Sequence, residues 1–172
     1  MHRIYLVGFM AAGKTAVGEA LAKLLDTSFV DLDERLRRRF GAAIGEVFAR
    51  HGEAAFRAAE SAELAAAVGG DGAVVATGGG AFCRAENRRL IEDAGGVSVY
   101  LHLPWEVLRA RLESDHAGRP KYGDEATARR LWEERLPLYR RATLTVALTG
   151  GERPAEAAEL VARALREAPC AP

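Results

Sequence analysis

Gly8-Phe-Met-Ala-Ala-Gly-Lys-Thr15 constrains this chain more than any other stretch. It fits G-x-x-x-x-G-K-[ST], a loop that wraps phosphate groups, and its flanks are the ones such a loop needs. Residues 3–7, Arg-Ile-Tyr-Leu-Val, read as a buried strand. From Lys14 to about Leu25, Val17, Leu21, Leu24 and Leu25 recur on one helical face. Strand, glycine loop and helix together turn backbone N–H groups toward one anion, and the helix N-terminus adds partial positive charge there. Gly8 and Gly13 permit the tight turns. Lys14 is placed to reach the β- and γ-phosphates of a nucleotide, and Thr15 to offer its hydroxyl to Mg²⁺. The nucleotide set is Gly8, Ala11, Ala12, Gly13, Lys14, Thr15 and Ala16.

The rest of the chain alternates. Strands are predicted at 28–31, 73–76, 97–103 and 143–146. A long helical region runs from Asp33 to about Val68, broken near Gly41, Gly45 and His51-Gly52. Further helices are predicted around 87–93, from Pro104 to Glu113, over 126–141 and from Pro154 onward. Residues 114–125, with Gly118, Pro120 and Gly123 and no periodicity, read as a mobile surface loop. This order predicts an α/β fold of three layers, a central parallel sheet of about five strands with helices on both faces and a mobile lid. At 172 residues, one domain is expected.

Charge and composition exclude more than they suggest. Basic and acidic residues balance at 24 each, which gives no overall drive toward nucleic acid or membrane. Arg37-Arg38-Arg39 follows Asp31, Asp33 and Glu34 and reads as a solvated helix face. No apolar stretch approaches a membrane span, and no signal peptide precedes the first strand. Cys83 and Cys170 have no metal-binding spacing, so a reducing cytoplasm is expected. The four histidines are scattered and receive no ligand role.

In a parallel sheet, ligands bind beyond the carboxyl ends of the strands. The second strand ends in Asp31-Leu-Asp33, where alternation predicts two carboxylates on one side. One suits a metal held through water and the other a general base, while either would also cap the following helix. The third strand ends in Thr77-Gly78-Gly79-Gly80, whose three glycines have backbone N–H groups unscreened by side chains. Arg57, in Gly-Glu-Ala-Ala-Phe-Arg57, lies in a largely apolar helix with Glu60 one turn on to hold it. Arg135 lies in Arg135-Leu-Pro-Leu-Tyr139. Either arginine suits a bidentate clamp on a carboxylate, although a surface salt bridge is the commoner use of an isolated one. Arg119, in Gly118-Arg-Pro120, is a loop arginine with reach over a transferring phosphoryl group.

Taken together and in this order, these motifs resemble the shikimate kinases, in the nucleoside-monophosphate-kinase branch of P-loop proteins, over essentially the whole chain. The resemblance implies ATP-dependent phosphorylation of the shikimate 3-hydroxyl, with shikimate and ATP as small-molecule partners and a monomer as the expected state. It implies that Arg57 and Arg135 bind the shikimate carboxylate, and that Asp33 binds ring hydroxyls and is the base. By the same resemblance Gly79 and Gly80 add backbone donors, and Lys14, Thr15 and Asp31 serve phosphates and Mg²⁺. Arg119 becomes the lid arginine, and Arg111, with Arg109 as the substitute, faces Pro154 across adenine. The acceptor-binding helical region would span about 33–61 and the lid about 114–125 of a single domain, 1–172.

The chain departs from the family pattern in four places. Ala11 stands where the family has a glycine, Thr15 where it has a serine, and Lys121-Tyr122 where two leucines follow Arg-Pro. The segment between Arg111 and Arg119 is one residue longer. These departures bear on lid closure and on the ATP Michaelis constant. A gluconate or nucleotide kinase would not be expected to combine the acid pair, the triple glycine and both arginines. A GTPase would need Asn-Lys-x-Asp, which is absent. The remaining rival is a non-catalytic nucleotide-binding regulator.

Overall fold

The computed structural model describes residues 2–68, 73–114 and 124–168. Five strands form one parallel sheet: β1 (Ile4–Val7), β2 (Ser28–Asp31), β3 (Ala73–Ala76), β4 (Val97–His102) and β5 (Leu144–Ala147). Their order is β2-β3-β1-β4-β5, with Ile4 in register with Val74 on one side and Val97 on the other. Every residue of β1 and β3 is buried, because helices cover both faces of the sheet. That is why these strands read as unbroken apolar runs rather than alternating ones.

The helices are α1 (Lys14–Leu24), α2 (Leu32–Phe40), α3 (Ile44–Val68), α4 (Ala85–Asp93), α5 (Trp105–Ser114), α6 (Glu125–Tyr139) and α7 (Pro154–Glu167). A single 3₁₀ turn, Ala81–Cys83, follows the three glycines. α1 packs along α7. The central core joins Leu6, Val75, Val99 and Leu101 of the sheet to Leu21, Leu108, Tyr139 and Val161 of the helices. A second, smaller cluster of Leu36, Val47, Phe56 and Ala59, flanked by Phe40, Ile44 and Phe48, holds α2 to α3.

The long helical region differs in detail from its sequence reading. The first helix begins at Leu32, because the Asp31 carboxylate caps it by accepting the Glu34 N–H at 3.0 Å. Gly41, at φ 62°, ends it, and Gly45 lies inside α3 rather than at a break. α3 kinks at Gly52, which has φ 77° and ψ 168°. That region of backbone space is essentially reserved for glycine. Gly52→Ala should therefore destabilise the fold by about 1–3 kcal/mol. Among the described residues nothing beyond its chain neighbours and its own helix backbone lies within 4 Å of the added methyl, so the loss is one of backbone strain. Thermal unfolding checks this, and an unchanged Tm would refute it. At the other end of the chain, Pro137 does not end α6, which continues to Tyr139 with Arg140 as its cap.

Candidate active site

The phosphate loop joins β1 to α1, with Gly8 and Gly13 at φ 146° and 86°. Gly13 is the residue before the first turn of α1, so the N–H groups of that turn open into the loop. Lys14 is buried, and its Nζ donates to the carbonyls of Gly8 (3.0 Å) and Phe9 (2.8 Å). Ala12 is buried with its N–H on the Phe9 carbonyl, and Ala16 is exposed on the first turn of α1. Ala11 stands at φ 59°, a left-handed conformation in a residue that carries a Cβ. That conformation costs roughly 1–2 kcal/mol, against the smaller entropic cost of a glycine in the unfolded chain. Ala11→Gly should thus raise stability by about 0.5–1 kcal/mol, read as a Tm increase of roughly 1–4 °C. A fall in Tm would show that the methyl group is held by packing.

The acid pair does not share one extended segment, which corrects the alternation reading. Leu32 already belongs to α2, so Asp31 ends β2 while Asp33 lies in the first turn of α2. Asp31 receives the Thr15 hydroxyl on Oδ2 at 2.6 Å and caps α2 with Oδ1. The capping role thus falls on Asp31. Asp33 sits beside the glycine loop: a Cβ on Gly78 would lie 2.9 Å from its Oδ1 and would also overlap Glu60 Oε1.

Arg57 and Glu60 are not a surface salt bridge. Their side chains are 11% and 1% exposed, and Arg57 Nη1 donates to Glu60 Oε2 at 2.6 Å. The guanidinium also meets Glu53 at 3.3 Å and the faces of Phe48 and Phe56. Burial pushes the Glu60 carboxyl above its ordinary range, Arg57 pulls it back, and nearby Asp33 adds to the rise. Arg135, half-buried on α6, donates from Nη1 to the Gly79 carbonyl at 3.2 Å. Tyr139, one turn later, donates its hydroxyl to the same carbonyl. The three glycines therefore do more than expose N–H groups. Gly78 clears space for Asp33 and Glu60, and a Cβ on Gly80 would stand 2.5 Å from Arg57 Nη1. This loop also abuts the phosphate loop, since a Cβ on Gly79 would lie 3.5 Å from Met10 N and 3.9 Å from the Gly8 carbonyl.

On the opposite flank, Arg111 bridges two loops. Nη1 donates to the Ala11 carbonyl and Nη2 to the Gly150 carbonyl, each at 3.1 Å. Arg109 instead pairs outward with Glu113 at 2.8 Å, so Arg111 is the arginine at the phosphate loop. The loop from β5 to Pro154 is tied by Glu152, which accepts from the N–H groups of Thr149 and Gly150 and from the Thr149 hydroxyl. Those bonds hold its carboxyl down at about 2. Glu152 escaped the sequence reading, although Thr149-Gly-Gly-Glu152 has capping-box spacing.

Cys83 is partly buried, and burial pushes its thiol up despite Arg135, Tyr139, Arg57 and Arg88 nearby. Arg119, with residues 115–123 of the expected lid, lies outside the described residues. Among the described residues no group of three or more His, Cys, Asp or Glu could hold a metal. The Thr15–Asp31 pair is a hard-oxygen set of the kind that Mg²⁺ takes alongside substrate phosphates. No helix among the described residues is long and apolar enough to cross a membrane.

Comparison with known proteins bears on this constellation. The family model described as Shikimate kinase matches residues 10–166. A shikimate kinase of Halorhodospira halophila is 43% identical over 170 residues, spanning 97% of this chain and 95% of its own. The structure of shikimate kinase from Acinetobacter baumannii in complex with shikimate superposes with a TM-score of 0.89 at 36% identity, covering 96% of this chain and 93% of that one. A gluconokinase from Sinorhizobium meliloti reaches a TM-score of 0.56 at 20% identity, covering 96% of this chain and 94% of that one, which is likeness of fold alone.

Proposed function

The chain belongs to the shikimate kinase family, and from that premise we propose that it transfers the γ-phosphoryl group of ATP to the 3-hydroxyl of shikimate, giving shikimate 3-phosphate and ADP. The product feeds chorismate and aromatic amino-acid synthesis. One observation carries the reading: Asp33, Arg57 and Arg135 converge on the Gly78–Gly80 loop, which abuts the phosphate loop. A carboxylated, hydroxylated acceptor is thereby held beside the nucleotide phosphates.

The residues divide the work in the following way. The α1 N-terminus and the N–H groups of the phosphate loop bind the phosphates, and Lys14 follows the charge that develops on the transferring group. Arg57 and Arg135 each offer a planar fork to the shikimate carboxylate, and Gly79 and Gly80 add backbone donors. Asp33 accepts a hydrogen bond from the 3-hydroxyl and takes its proton as the oxygen attacks in line. Arg111 and Pro154 flank adenine, and Arg119 closes with the lid to offset charge and exclude water. Thr15 and Asp31 would hold Mg²⁺, which supplies charge neutralisation at the phosphates. Residues 1–172 act as one kinase domain, as a monomer in the cytoplasm, on small molecules rather than nucleic acid or membrane.

An ADP-release assay with ATP and Mg²⁺ tests the proposal, adding shikimate, then gluconate, then nucleoside monophosphates. Turnover with shikimate alone is expected. Turnover with another acceptor would keep the kinase and discard the carboxylate roles of Arg57 and Arg135. ATP binding without turnover would favour a regulator.

A further inference from the structure

Tyr139 has no role in the reaction described above, yet its side chain meets the acceptor loop directly. The residue is fully buried, and its ring stacks on Tyr100 with centroids 5.3 Å apart and planes at 25°. Packing of that kind needs no hydroxyl. A buried hydroxyl without a partner is costly, so phenylalanine would serve a purely apolar site better. Here the hydroxyl donates to the Gly79 carbonyl, the same oxygen that receives Arg135 Nη1 at 3.2 Å. Two donors four residues apart on α6 thus converge on one carbonyl of the glycine loop.

The planarity of the peptide bond gives this contact a consequence. The Gly79 carbonyl and the Gly80 N–H belong to one trans peptide unit and point in opposite directions. Anchoring the carbonyl toward α6 therefore aims the Gly80 N–H away from α6. Gly80 is also the residue packed against the Arg57 guanidinium, with only 2.5 Å between Nη1 and the place a Cβ would take. A run of three glycines has little conformational preference of its own, so an external anchor decides its orientation. We propose that Tyr139 is a positioning residue for the acceptor, its hydroxyl orienting the Gly79–Gly80 peptide and the adjoining Arg135 guanidinium toward the substrate carboxylate. The inference rests on the reading of Arg135 as a carboxylate ligand.

Steady-state kinetics of the full-length Tyr139→Phe and Arg135→Ala enzymes, each with shikimate and ATP varied separately, test it. For Tyr139→Phe the shikimate KM should rise about tenfold, the effect of one lost buried hydrogen bond, with kcat and the ATP KM changing less than about threefold. Arg135→Ala should raise the shikimate KM further. A shikimate KM within about twofold of wild type in Tyr139→Phe, alongside a raised one in Arg135→Ala, overturns the Tyr139 role alone. Parallel rises in both KM values with a lowered Tm make Tyr139 merely structural and also overturn it. An unaltered shikimate KM in Arg135→Ala overturns the carboxylate assignment and this inference together.

Discussion

Asp33→Asn is expected to lower kcat by about 10²–10⁴-fold, the usual span for removing a positioned general base. Asparagine keeps the size of the side chain and one acceptor oxygen, so the 3-hydroxyl can still be bound, but it cannot take the proton. The phosphate loop lies on other elements, with Lys14 and Thr15 on α1 and Asp31 closing β2. ATP affinity, measured by titration calorimetry, should accordingly stay within about threefold of wild type. The fold should tolerate the change well. Asp33 raises the burden on the buried Glu60 carboxyl, so removing its charge relieves a like-charge contact. Near-normal turnover in Asp33→Asn would remove this residue from the chemistry.

The second large effect separates two arginines that share a proposed role. Arg57→Ala and Arg135→Ala should each weaken productive shikimate binding by about 2–5 kcal/mol, roughly 30- to 4,000-fold in KM, while the ATP KM holds. Equal effects on both substrates would contradict the carboxylate assignment. The two variants should part in stability. Arg135 is half-buried, donates to the neutral Gly79 carbonyl and acts on Glu60 less than Arg57 does, so its loss should cost less than that of Arg57. Arg57 is the near cation of Glu60, which is 1% exposed. Leaving that carboxylate without it should cost about 3–5 kcal/mol.

That cost should also depend on pH. Burial already holds the Glu60 carboxyl above its ordinary range, and Arg57 opposes the shift. Without Arg57 the folded-state value rises further above the unfolded one. The stability linked to that proton is complete below the unfolded carboxylate range and is lost as pH rises through the raised folded value. The Tm deficit of Arg57→Ala should therefore be smaller at pH 5 than at pH 8. A deficit that is the same at both values would show that Glu60 is not the group left uncompensated.

Much of the fold was legible without coordinates, because it follows from short-range patterns. The phosphate loop announces its own strand and helix, and β1 and β3 are apolar throughout because both faces of a parallel sheet are covered. Boundaries were less legible. Whether Asp31 or Asp33 caps α2 depends on where one carboxylate finds a partner, and Thr15 reaches across from another element to hold Asp31. Gly41, Gly45 and Gly52 looked alike as breaks, yet Gly41 ends a helix, Gly52 kinks one and Gly45 lies within one. Spacing along the chain does not distinguish them, and α2 and α3 share a cluster of Leu36, Val47 and Phe56 that joins residues far apart in the chain.

The residue types alone supplied the proposed chemical inventory: a loop for phosphates, hard oxygens proposed for a metal, a proposed base, and guanidinium groups proposed for a carboxylate. Each of these follows from side-chain chemistry and the local backbone geometry of a few neighbours. Burial and convergence were decided only by the tertiary structure. It took Arg57 and Glu60 from an apparent surface pair into a nearly dry site, and it chose Arg111 over Arg109 at the phosphate loop. It also made Gly78 and Gly80 clearances for side chains from α2 and α3, and it set Tyr139 and Arg135 on one carbonyl. Such contacts join residues far apart in the chain, and their energies depend on water being excluded by everything packed around them, which no local pattern encodes.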